Sequence, residues 1–228
     1  MSNTIELLNI TKDYGKSIPV KVLKDISIKF EKGSLNAIIG QSGSGKSTLL
    51  NIMGLLDKPT SGSIYLDGKK INDFNNKHQS RLRNENIGFI FQFHYLLPEW
   101  NVWENILMPL RIRKDNITDK MKDRAKMIME AVGITDIAKE KIQEISGGQQ
   151  QRTAIARALI TNPKIILADE PTGNLDSINS DAVYNLIKSL NEEFNTTFII
   201  ITHDERLAKK TNRIIELEDG IIKSDTLL

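Results

Sequence analysis

The chain has 228 residues, 39% of them hydrophobic, and a formal net charge of +2. That is enough apolar material for one sizeable α/β core, and too mild a charge to announce a nucleic-acid partner. The absence of Cys excludes disulfides and thiolate metal sites. No apolar run approaches the ~20 residues that span a bilayer, and the first residues lack the charged-then-apolar pattern of a leader. The expectation is therefore a cytosolic chain unless something tethers it.

In chain order, residues 3–10 and 22–30 read as strands. In the second, Ile26, Ile28 and Phe30 alternate with Ser27 and Lys29, a half-buried pattern. A turn at Glu31, Lys32 and Gly33 leads into Leu35–Ile39, a buried strand. Next come Gly40, Gln41, Ser42, Gly43, Ser44, Gly45, Lys46, Ser47 and Thr48, which match the phosphate-binding G-x-x-x-x-G-K-[ST] pattern. Leu49, Leu50, Ile52 and Met53 follow at near-helical spacing, so the loop sits where a strand turns into a helix, the context the motif requires. Glycines let the backbone wrap a phosphate, and the N–H groups of the loop and helix start face the anion. Lys46 would reach the β- and γ-phosphates and the Ser47 hydroxyl would complete a Mg²⁺ shell.

After a break at residues 57–62, Ser63–Leu66 is a short strand that closes at Asp67 and Gly68. These early strands suggest a small antiparallel sheet beside a parallel core. Ile87–Phe91 is a further apolar strand, ending at Gln92. From 93 to about 160 the character is helical, with Thr118 capping one helix, stopped by Gly133, and Ser146 preceding another. Residues 93–160 are thus a candidate inserted subdomain, with 1–92 and 161–228 as the core of a single domain. Strands at Ile165–Ala168, Phe198–Ile201 and Ile214–Leu217, with an amphipathic helix around 182–190, imply a mostly parallel sheet flanked by helices.

Three strand ends carry chemistry. Asp169 and Glu170 close an apolar strand, where buried side chains would otherwise stay apolar. Asp169 suits the Mg²⁺ shell and Glu170 suits a general base for an attacking water. His203 could sense a γ-phosphate, and the Gln92 amide could contact Mg²⁺ or the water and then withdraw. His78 and His94 have no such support and read as surface and interface residues. Ser146, Gly147, Gly148 and Gln149 form a second anion-binding helix start. One chain does not need two such termini for one triphosphate, whereas two chains arranged head to tail would use both.

Together these elements resemble the ATP-binding cassette (ABC) ATPase family over nearly the whole chain. Gly40–Thr48 matches its Walker A motif, Gln92 its Q-loop, and residues 145–149 its signature, with Ile145 where the family usually has Leu. Residues 165–170 match Walker B, Asn174, Leu175 and Asp176 the D-loop, and His203 the H-loop. The resemblance implies a P-loop NTPase (RecA-like) α/β fold with an antiparallel β subdomain and an inserted helical one. It also implies ATP and Mg²⁺ as cofactors, Tyr14 against the adenine, and a homodimer that sandwiches ATP between the P-loop of one subunit and residues 146–149 of the other, Asp176 bridging the two sites. Integral membrane permease subunits on separate chains would hold the protein at the inner face of the cell membrane.

The aromatic segment Phe91–Trp100 resembles the matching segment of the lipoprotein-releasing branch and suits a groove for a partner's amphipathic helix. The stretch 167–176 is shared with macrolide/peptide exporters and a cell-division ATPase, which stay as alternatives. DNA-repair relatives carry a long coiled coil before the signature, translation-factor relatives carry two cassettes, and a P-loop kinase or GTPase leaves residues 146–149 without a role. A transport subunit is the expectation.

Overall fold

The computed structural model describes residues 2–15, 18–113 and 116–228. Strands β1 (Asn3–Tyr14) and β2 (Val20–Glu31) pair antiparallel. They run past the expected bounds because their outer turns have few apolar residues to mark them. β3 (Leu35–Ile39) leads through the glycine-rich loop to helix α1 (Lys46–Met53). β4 (Ser61–Leu66) and the two-residue β5 (Lys69–Lys70) complete a four-stranded antiparallel sheet in the order β2-β1-β4-β5.

Helix α2 (Asn76–Asn86) was invisible to apolar periodicity. Its sequence is almost wholly polar and only Gln79 is buried, so its start is set by the Asn75 side chain, which accepts from the His78 N–H. β6 (Ile87–Phe91) follows. The helical block contains α3 (Val102–Ile112), α4 (Asp119–Ala131) and α5 (Gly147–Leu159). As expected, Thr118 caps α4 by accepting from Met121 N–H, and Ser146 caps α5, with Gln149 closing a reciprocal capping box.

β7 (Ile165–Asp169), α6 (Ser177–Phe194), β8 (Thr197–Ile201), the short α7 (Glu205–Ala208) and β9 (Arg213–Glu218) complete the core. A last strand, β10 (Ile221–Leu227), was not expected. It is an exposed edge with a single half-buried apolar side chain in contact with the core, Ile222, and it pairs antiparallel with β9.

The six-stranded sheet runs β10-β9-β3-β8-β7-β6, parallel from β9 through β6. Alternate residues divide its core between two faces. Ile166, Ala168, Phe198 and Ile200 pack with the helices of residues 102–194. Ile165, Leu167, Ile199 and Ile201 pack with α1 and the antiparallel sheet. Covering on both faces explains why these strands read as unbroken apolar runs. Among the described residues no helix is long and apolar enough to cross a membrane.

β6 lies so close to α5 that a Cβ on Gly88 would stand 2.5 Å from the Ala158 carbonyl oxygen. Gly88→Ala must push the two elements apart and is expected to cost about 1–3 kcal/mol, the usual range for overpacking. Urea unfolding reads this directly; an unchanged midpoint would mean that β6 and α5 are free to separate.

Candidate functional site: a phosphate cradle at the carboxyl edge of the sheet

Sheet register decides which side chains meet. Phe91 lies opposite Asp169, Asp169 opposite Ile201, and Ile38 opposite Ile201. The residues just beyond these positions, Gln92, Glu170, His203 and the loop from Gly40, therefore emerge at one level of one edge, where open α/β sheets bind ligands. A cleft of about 610 Å³ runs along it, lined by the loop together with Gln92, Asp169, Glu170 and His203.

The loop needs its glycines at two points. Gly40 has φ 152°, and a Cβ there would lie 2.1 Å from the Leu217 carbonyl oxygen. Gly45 has φ 102° and caps α1 with no side chain, leaving the first helical N–H groups to the cleft. The Ser44 hydroxyl is buried without a protein partner. Lys46 Nζ donates to the carbonyls of Gly40 (2.7 Å) and Gln41 (2.8 Å), holding the loop closed on itself. Burial lowers its pKa, opposed by the nearby Glu170 and Asp169 carboxylates.

Asp169 is pushed above the usual carboxylate range, first by burial and then by the like charge of Glu170; a hydrogen bond from Ser47 and the charge of Lys46 oppose this. Glu170 has φ 47° and is half-buried, with its N–H on the Ile201 carbonyl. Its Oε1 lies 2.9 Å from His203 Nδ1. This turn aims Glu170 away from the strand direction and toward the histidine.

Gln92 Nε2 donates to Asn174 Oδ1 (3.1 Å), and Asn174 Nδ2 donates back to the Gln92 carbonyl (3.0 Å). A Cβ on the adjacent Gly173 would stand 2.7 Å from Gln92 Nε2. This clasp was not foreseen: 82 residues separate its members, and no local signal connects them.

Other expected site residues lie outside the cleft. Tyr14, at the end of β1, donates its hydroxyl to Asp57 (2.7 Å), and Lys12 Nζ lies 4.7 Å from the centre of its ring. Ser146, Gly147, Gly148 and Gln149 form the first turn of α5, and none of them lines the cleft. Asp176 caps α6, accepting from the Asn179 N–H (2.9 Å) and side-chain amide (2.6 Å), which hold its carboxyl below the usual range.

Of the two histidines read as surface and interface residues, His78 is exposed beside Asn75. His94 is buried against the carbonyls of Gln92 and Gly147. It is 9% exposed, because the chain turns sharply through left-handed conformations at His94 and Tyr95 and folds the ring inward.

The family model described as ABC transporter matches residues 23–173. The chain is 48% identical to the lipoprotein-releasing system ATP-binding protein LolD 1 of Chlorobium chlorochromatii, over 100% of this chain and 94% of that protein. It is also 48% identical to the LolD protein of Blochmanniella floridana, over 96% and 93% of the two chains. Among solved structures, a dimeric ATP-binding cassette in a post-hydrolysis state, bound to ADP and Pi, superposes with a TM-score of 0.88 at 40% identity, over 98% of both chains. With a glycine-rich cradle, two strand-end carboxylates and a histidine on one sheet edge, the chain belongs to the ABC transporter family as its ATP-hydrolysing cassette.

Proposed function

We propose that the chain is the ATP-hydrolysing subunit of a lipoprotein-releasing transporter, acting as a homodimer that closes around two ATP molecules. The observation that carries the dimer is spatial. Gly40–Thr48, Asp169, Glu170 and His203 share one cleft, while the second anion-binding helix start at Ser146 lies outside it. A second copy would supply residues 146–149 across the nucleotide. The lipoprotein assignment is supported by the relatives of that name at 45–48% identity; efflux of macrolides or peptides and a cell-division role are the competing branches.

The roles follow from the geometry. Lys46 exchanges its two loop carbonyls for the β- and γ-phosphates, and the free amides of α1 face the same charge. Tyr14 stacks on the adenine. The donor set suits Mg²⁺: Ser47 and Asp169 are hydrogen-bonded to each other, and Gln92 lines the same cleft. Mg²⁺ commonly takes one or two protein oxygens beside nucleotide phosphates, and when bound it neutralises charge on the phosphates. Glu170 polarises the attacking water while His203 holds its carboxylate in line. Asp176 bridges the two sites across the dimer. Residues 93–160 act as a helical arm on a core of 1–92 and 161–228.

Membrane subunits on separate chains dock through a groove of about 540 Å³ between α2, β6, α3 and α5, lined by Phe91, Tyr95, Met108, Pro109 and Ile112. It is open, with the lining residues Tyr95 64% and Ile112 63% exposed; Phe93, two residues before Tyr95, is 68% exposed without lining it. Such a surface fits the apolar face of an amphipathic helix. Trp100 differs: it is half-buried, with the Arg111 guanidinium 4.9 Å from its ring centre. Docking there would hold the chain at the inner face of the cell membrane.

Glu170→Gln should keep ATP binding and lower turnover by about 10²–10⁴-fold, the usual worth of a general base, trapping a dimer visible by sedimentation in ATP. Persistent turnover would remove Glu170 from that role. Phe93→Ala with Tyr95→Ala should leave ATP affinity intact and abolish stimulation by the membrane subunits; loss of folding instead would identify these rings as core.

Asp169→Asn should raise the thermal midpoint of the nucleotide-free chain at pH 7 while abolishing hydrolysis. Folding raises this carboxyl's pKa, so the native state disfavours its charged form. That penalty is full above the folded pKa and vanishes as pH falls below the unfolded value. The Asn variant's advantage should therefore fade in acid; an advantage independent of pH would point to packing.

A further inference from the structure

We propose that His94 is a positioning residue that ties the half-site this chain keeps to the half-site it lends, making hydrolysis at the two nucleotides cooperative. The proposal rests on the sandwich dimer above. The His94 ring lies between two backbone carbonyls of different elements. Nδ1 is 3.0 Å from the carbonyl oxygen of Gln92, which leaves β6 at the chain's own cleft. Nε2 is 3.3 Å from the carbonyl oxygen of Gly147, in the first turn of α5. The ring is thus a flat, buried spacer between the residue facing one nucleotide and the helix start offered to the other.

The surroundings hold that spacer in place. Consecutive left-handed residues, His94 with φ 62° and Tyr95 with φ 49°, fold the chain back on itself. Arg157, near the far end of α5, donates to the carbonyls of both, at 2.5 Å to His94 and 2.6 Å to Tyr95. Burial pushes its pKa down to about 10. The segment 92–95 is therefore fastened to α5 at both ends of the helix, by Arg157 at one and by the His94 ring at the other. Asn174 clasps the same residue, its Nδ2 donating to the Gln92 carbonyl oxygen that also faces His94 (3.0 Å) while its Oδ1 accepts from Gln92 Nε2 (3.1 Å). When nucleotide draws the Gln92 amide into the cleft, the shift of its carbonyl passes through His94 to Gly147 and reorients the amides of residues 147–149. Filling one site thereby prepares the half-site presented to the partner's nucleotide, a coupling carried by physical contacts and not by distance alone.

The competing explanation is a ring that merely fills the space beneath a sharp turn, and His94→Phe separates the two because it keeps the volume and removes both nitrogens. The measurements are the Hill coefficient of ATP hydrolysis, kcat and KM separately, ADP affinity as a one-site readout, and the thermal midpoint. In the Glu170→Gln background, the ATP concentration that produces half-maximal dimer is measured by sedimentation. His94→Phe should keep ADP affinity, lower the Hill coefficient toward unity, and raise the ATP needed for dimerisation by about tenfold, the scale of one lost hydrogen bond. His94→Gln, which retains a donor of similar reach, should recover part of the cooperativity. A Phe variant with the parent's Hill coefficient and dimerisation overturns the role of His94. If the Phe variant does not fold, His94→Gln is compared with His94→Ala: a cooperative Gln and a non-cooperative Ala support the bridge, and equal behaviour overturns it. Failure of the Glu170→Gln parent to dimerise in ATP overturns the sandwich reading itself.

Discussion

Parallel strand register is the constraint on which the rest of this molecule depends. With Phe91, Asp169 and Ile201 opposite one another, and Ile38 opposite Ile201, four chain segments far apart in sequence leave the sheet at the same height. A slip of one residue in any of these pairings would exchange the two faces of the strand. Ile166 and Ala168 would then face the antiparallel sheet, and the carboxylates would leave the level of the phosphate cradle. The site is accurate because the hydrophobic core on both faces forbids that slip.

Several polar groups on this edge are occupied with one another. Lys46 bonds its own loop, Gln92 is clasped to Asn174, and Glu170 is paired with His203. On the proposed reading, each pairing is exchanged for an interaction with a triphosphate, its cation or a water. The raised pKa of Asp169 and the left-handed backbone of Glu170 show that the edge is not arranged for maximum stability. Such strain is common where a structure is built for binding and chemistry.

Helix α5 connects this edge to the rest. Its first turn offers exposed amides, its last turn grips the 94–95 turn through Arg157, and the buried Gln151 between them donates to the Pro171 carbonyl beyond Glu170 (2.6 Å). The groove that exposes Tyr95 uses the same segment.

The sequence by itself determined the chemistry and most of the elements. The Gly40–Thr48 loop, the apolar strands ending in Asp169, Glu170 and His203, and the capping residues Thr118 and Ser146 are local signals, because anion binding, strand burial and helix capping act over a few neighbouring residues. Helix α2 and strand β10 escaped that reading since their faces are polar and their existence depends on what they pair or pack with. The Gln92–Asn174 clasp and the inward position of His94 were decided only by the tertiary structure. Each depends on the sheet and α5 bringing together residues distant along the chain, and no local propensity encodes that approach.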